Sequence, residues 1–123
     1  ADRLAAVVAA DFSPSVCNRR TLAVWFAFYG EAKSRPTYRR ICRARDAANA
    51  RRLTAVVEDL LAQGGGGGMD ARTIADSLAA LTDGLWLNCL MSPNEWSRRR
   101  ARDTTFAMLE SLFPERLAGV VQG

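Results

Sequence analysis

Apolar positions in this chain recur at the three- and four-residue spacing of a helix, and no segment alternates convincingly with the period of two that a half-buried strand requires. Breakers divide the pattern into five stretches. The first, Asp2 to about Ala10, is alanine-rich and has no clear cap of its own, as if it continued an upstream helix. Ser13-Pro14-Ser15 and Asn18 supply turn and cap chemistry before a second helix, about Arg19 to Lys33. Its centre, Leu22 to Tyr29, is apolar on every side and belongs in the middle of a bundle. Ser34 is a candidate cap, and Pro36 sits in the tolerated first turn of a third helix that runs to about Gln63. The stripe of that helix passes through Tyr38, Ile41, Cys42, Leu53, Val56, Val57 and Leu60, but Arg45, Ala48, Asn49 and Arg52 occupy its middle.

Gly64 to Gly68 reads as a flexible connector; no strand precedes it and no Gly-Lys-Ser/Thr follows, so it is not a phosphate loop. The fourth helix, about Asp70 to Leu90, carries two stripes: Ile74, Leu78, Leu81, Leu85 and Cys89, and beside them Ala75, Ala79, Thr82 and Trp86. One stripe suffices for a monomer, and the second predicts contact with another subunit. Ser92-Pro93-Asn94 breaks the chain, a fifth helix follows from about Glu95 to Phe113 with Trp96, Phe106, Leu109 and Leu112 apolar, and Pro114 ends it. The expected fold is all-α, five helices in one domain spanning 1–123.

Composition narrows the function. At 123 residues with 49% hydrophobic and 24% charged residues, the chain is long enough for one core and is not a disordered type. Its longest strongly apolar run is far shorter than the roughly 20 residues a bilayer needs, so no membrane role is expected. Histidine is absent, and Cys17, Cys42 and Cys89 are widely spaced. No metal site, cofactor fingerprint or catalytic constellation can be assembled, which argues against an enzyme, and the cysteines read as reduced, buried thiols of a cytoplasmic protein. The net charge of +4 comes from arginines spread over several helices. Arg98-Arg99-Arg100-Ala101-Arg102 lacks a preceding turn-helix signature and interleaved stacking aromatics, and reads as a solvated or salt-bridged face.

Two features invite a ligand. Trp25, Phe28 and Tyr29 share one sector of the second helix, and Trp86 on the fourth is placed to face the same interior. Aromatic faces attract a quaternary ammonium, and Asp83 or Glu31 would add a counter-charge. The same rings could equally be core. The polar interruption of the third helix, with Asn49 as an orienting group, fits a solvent- or ligand-filled cavity; the alternative is that Arg45 and Arg52 reach outward and Asn49 is simply exposed.

The stretch Ala79-Ala-Leu-Thr-Asp-Gly-Leu-Trp-Leu87, preceded by Trp25-Phe-Ala-Phe-Tyr29 and Arg51-Arg-Leu53, resembles the C-terminal domain of BetI-type members of the TetR repressors, from about Leu4 to Phe113. The resemblance implies a homodimer whose last two helices form a four-helix interface, with Ala75, Ala79, Thr82, Phe106 and Leu109 as its candidate contacts. It also implies a small-molecule effector, choline among the candidates, in a pocket drawn from Trp25, Phe28, Tyr29, Asn49, Asp83 and Trp86. Operator DNA would be bound only by an N-terminal helix-turn-helix head, which no segment of this chain resembles. A helical dimerisation or scaffold domain with a filled core is the alternative.

Overall fold

A computed structural model describes residues 2–32 and 34–114. Five helices follow in order: α1 (Asp2–Asp11), α2 (Arg19–Ala32), α3 (Pro36–Leu61), α4 (Ala71–Met91) and α5 (Arg98–Leu112), with no strand among the described residues. The all-α, five-helix expectation is met. α4 is the hub, packed against α2, α3 and α5, while α1 bridges α3 and α5.

The core lies where α1, the end of α3, α4 and α5 converge. Leu4, Val8, Val57, Leu60, Ile74, Leu78, Phe106, Leu109 and Phe113 are all essentially inaccessible to solvent. Burying each such side chain contributes roughly 1.5–3 kcal/mol against the entropy of ordering the chain. Cys17, Cys42 and Cys89 are free and buried, as their sequence context predicts. Burial first, and the neighbouring Cys89 second, push the Cys17 thiol up to about 12, which leaves it protonated and unreactive.

Helix starts show which local signals are used. Asn18 Oδ1 accepts from the Thr21 amide at 2.8 Å, Asp70 Oδ1 from Thr73 at 2.8 Å, and Ser97 Oγ from Arg100 at 3.0 Å. The Ser97 cap places the start of α5 three residues later than the expected Glu95; the segment before it is a turn in which the Ser92 carbonyl accepts from the Glu95 and Trp96 amides. Ser34 does not cap α3. Its hydroxyl donates back to the Glu31 carbonyl at 3.2 Å, and extended Arg35 precedes Pro36, whose missing N–H removes one of the donors a cap would serve.

Two further expectations change. Ile41, assigned to the inward stripe of α3, is 53% exposed. The glycine run is not a loose tether: Gly66 is buried, and its amide donates to the Leu112 carbonyl at the end of α5 at 2.8 Å. Gly65 and Gly66 have φ of +96° and +94°, and a Cβ at Gly65 would lie 2.9 Å from the Leu112 carbonyl oxygen, while one at Gly66 would overlap the Leu61 side chain. Only glycine satisfies both the backbone angle and the approach.

Candidate functional site

The inward face of α3 follows Cys42, Asp46, Asn49, Leu53, Val57 and Leu60 at helical spacing. Its ends are closed, with Cys42, Val57 and Leu60 buried, but Asp46 and Asn49 between them are exposed. The face is covered at both ends and open to solvent in the middle. Arg45 and Arg52, flanking this face, are exposed as well, so the polar interruption of the third helix reflects solvent access rather than buried, unpaired groups.

Aromatic rings from α2 border this open stretch of α3. Trp25 meets Tyr29 edge-on with centroids 4.8 Å apart and interplanar angle 77°, and stacks on Phe28 at 6.1 Å. Phe28 in turn packs on Tyr38 of α3 at 4.9 Å. All three α2 rings are partly buried. The Tyr29 hydroxyl donates to Asp46 Oδ1 at 3.3 Å, and burial first, then the charges of Asp46 and Asp83, push Tyr29 up to about 12. On α4, the Trp86 indole donates to the Asp11 carbonyl at the end of α1, at 2.9 Å.

These contacts collect carboxylates. Asp83 is raised from its ordinary value by partial desolvation and, after it, by Asp46. Asp11 is pushed up to about 6, mainly by burial and then by Asp83. Asp11, Asp46 and Asp83 thus come from α1, α3 and α4, with Asp83 within electrostatic reach of both others, and among the described residues none forms a salt bridge. Carboxylates placed near one another without a basic partner favour any cation that can approach.

The structure joins Trp25, Phe28 and Tyr29 in one chain of ring contacts, ties Tyr29 and Asp83 to the acidic group, and links Trp86 to it through Asp11. Asn49 is exposed one turn from Asp46, without a side-chain hydrogen bond among the described residues. Glu31, the other counter-charge considered, pairs with Arg35 at 3.1 Å instead. Asp46 and Asp11 were missed. Asp46 could have been found from its spacing, four residues after Cys42 and three before Asn49; Asp11 has no such signal because it acts across the fold.

The candidate interface residues fall differently. Ala75, Thr82, Phe106 and Leu109 are buried in the chain's own core, at 0–5% exposure, and Ala79 is exposed. Side chains already covered by their own subunit offer little surface to a second one. The outer face of α4 instead carries Ala80, Gly84, Leu87 and Met91, with Leu87 44% and Met91 71% exposed. The outward positions of α5 include Arg100, Thr104, Ala107 and Ser111.

The arginine run of α5 is engaged internally. Arg98 donates to the Cys17 carbonyl, Arg99 pairs with Asp103, Arg100 lies 3.9 Å over the Trp96 ring and donates to the Glu95 carbonyl, and Arg102 lies over Phe106. Two shallow depressions of about 450 and 490 Å³ lie on the outer side of α5 and between α3 and α4; none of the six candidate ligand residues lines either. No helix is long and apolar enough to cross a membrane, and no group of three metal-ligating side chains occurs among the described residues.

Residues 1–114 match the family described as BetI-type transcriptional repressor, C-terminal. The chain belongs to that family. Among similar proteins, the HTH-type transcriptional regulator BetI of Burkholderia mallei (strain NCTC 10229) is 36% identical over 85 residues, 69% of this chain and 41% of the relative. The BetI regulator of Serratia proteamaculans (strain 568) is 31% identical over 101 residues, 82% of this chain and 48% of the relative. That of Stenotrophomonas maltophilia (strain R551-3) is 28% identical over 109 residues, 89% and 53%. The chain therefore spans about half the length of the curated relatives it matches. They are transcriptional regulators rather than enzymes, and this BetI-type chain is a regulatory domain of the TetR class. No solved structure gives a significant match.

Proposed function

We propose that residues 1–123 form the ligand-sensing and homodimerisation domain of a cytoplasmic TetR-type repressor, and that a small organic cation, choline or a related quaternary ammonium, binds at the exposed middle of α3, against the rings of α2 and the neighbouring part of α4. The observation that carries this reading is the set of carboxylates Asp11, Asp46 and Asp83, without a basic partner among the described residues, beside the rings of Tyr29, Trp25 and Trp86. Carboxylates supply charge, and ring faces attract a cation that has no N–H to donate. Phe28 backs Trp25, and Asn49 is the neutral polar group available for a hydroxyl.

A ligand joining α1, α2, α3 and α4 would bias the dimer between two arrangements, and an operator-binding head outside this chain would report the shift and release DNA. The dimer contact is assigned to the outer faces of α4 and α5. Gly84 sits in mid-helix, where glycine costs about 1 kcal/mol relative to alanine, yet nothing lies within 4 Å of the position its Cβ would occupy. Close approach by a helix of a second copy gives that glycine a purpose. Gly84→Trp should leave the chain folded and shift sedimentation from dimer to monomer; an unchanged dimer places the interface elsewhere.

The ligand test is a calorimetric titration with choline and betaine aldehyde beside 3,3-dimethylbutanol, the uncharged analogue of choline. Binding of the cations, lost in Asp83→Asn, is the expected result. Binding of the neutral alcohol alone would sink the cation reading, and binding of none would favour a helical scaffold whose core is already filled.

A further inference from the structure

Four arginines lie over aromatic rings: Arg35 over Tyr38, Arg45 over Trp25, Arg100 over Trp96 and Arg102 over Phe106. Three of them are also tethered. Arg35 pairs with Glu31 at 3.1 Å, Arg100 donates to the Glu95 carbonyl at 2.7 Å, and Arg102 lies 3.6 Å from Asp103. Arg45 is different: its guanidinium carbon stands 4.3 Å from the centroid of Trp25, its side chain is exposed, and it makes no salt bridge or hydrogen bond among the described residues. The ring it covers is the one that abuts Tyr29, and Asp46, the next residue along α3, receives the Tyr29 hydroxyl.

We infer that Arg45 is a resident cation, a built-in competitor that occupies the Trp25 face until an effector cation displaces it. The inference rests on the cation-binding reading of this face. A guanidinium held by one ring alone is worth little at an exposed site, so a better-placed cation can expel it. An untethered arginine also has rotamer freedom to recover when it leaves. Arg45 therefore sets a threshold: weak cations fail to displace it, and only a ligand that also engages the carboxylates does. Displacement frees α3 from its contact with α2 at this point, which gives occupancy a mechanical consequence at the α2–α3 hairpin.

The test compares the wild-type chain with Arg45→Met, which keeps an aliphatic stem of similar reach without the charge, and with Arg52→Met, which removes another exposed α3 charge that stacks on no ring. Choline affinity is measured by calorimetry at about 0.5 M salt, where the Debye length falls to about 4 Å and the general effect of losing a positive charge is largely screened. Arg45→Met is expected to bind about 3- to 5-fold more tightly than the wild type, matching an exposed cation–π contact, and Arg52→Met to bind within twofold. Equal or weaker binding by Arg45→Met while the wild type binds choline overturns the inference and leaves the cation site standing. An equal gain in Arg52→Met overturns it too, by reducing the effect to charge. If all the chains, Arg45→Met included, ignore choline, the cation site and the competitor fall together.

Discussion

The two sides of this bundle are built to different rules. α4 buries seven of its residues, Ala71, Ile74, Ala75, Leu78, Thr82, Leu85 and Cys89, and with α1 and α5 it closes an apolar interior. α2 buries only Leu22 and Ala32, and α3, the longest helix at 26 residues, buries only Cys42, Val57 and Leu60. The second side carries the rings of Trp25, Phe28, Tyr29 and Tyr38, the Asp46 carboxylate and Arg45 stacked on Trp25. One side holds the fold and the other is left open, so a change of ligand on the α2–α3 side can be absorbed without melting the α1–α4–α5 side.

Substitutions can break or sharpen that contrast. The largest effect should come from Phe106→Ala, which empties a site 1% exposed at the heart of the closed side. A loss of about 3–5 kcal/mol in urea unfolding is expected, whereas Trp25→Ala on the open side should cost less than half as much; equal losses would erase the distinction. Next, Gly66→Ala should cost about 2 kcal/mol, because it strains the backbone and drives Leu61 aside, while Ala79→Ser, on the exposed surface of α4, should be close to neutral in the same measurement. Trp86→Phe keeps an aromatic ring but removes the indole N–H bonded to the Asp11 carbonyl together with part of the ring volume, and should cost about 1 kcal/mol or more.

The smallest effect is also the one that changes with pH. Asp11 is pushed up to about 6 from 3.8, so the native state holds its proton more tightly than the unfolded chain does. Its contribution is present in full below about pH 4 and is lost as pH rises through 6. Asp11→Asn should therefore raise stability at pH 7 by about 1 kcal/mol or less, the value being reduced for solvent screening, relative to its effect at pH 4. The check is a pair of thermal melts at the two pH values. If choline binds as proposed, saturating ligand should lower the Asp11 midpoint in a carboxyl NMR titration.

The helices were legible because prolines, glycines and capping side chains punctuate an otherwise breaker-poor chain, and Asn18 behaves as its local context predicts. Ser34 misled because serine before proline fits both a cap and a helix end, and the choice lies with the Glu31 carbonyl one turn back. Trp25, Tyr29, Asp83 and Trp86 were legible as residue types suited to a cation. Asp11 was not, since the burial that raises it first, and the charge of Asp83 on α4 second, arise only in the folded chain. The burial of Ala75, Thr82, Phe106 and Leu109 was hidden for a related reason: periodicity tells which residues share a face of α4 or α5, but not which face the chain's own core has already covered.

The glycine run, finally, ties the turn between α3 and α4 to the last carbonyl of α5. Its five residues have the same side chain, yet their amides should not exchange alike with heavy water. The Gly66 amide is locked to Leu112 and becomes a reporter of whether α5 is seated, so its protection factor should follow the docking of the C-terminal helix while the amides of Gly67 and Gly68 exchange at the rate of open chain.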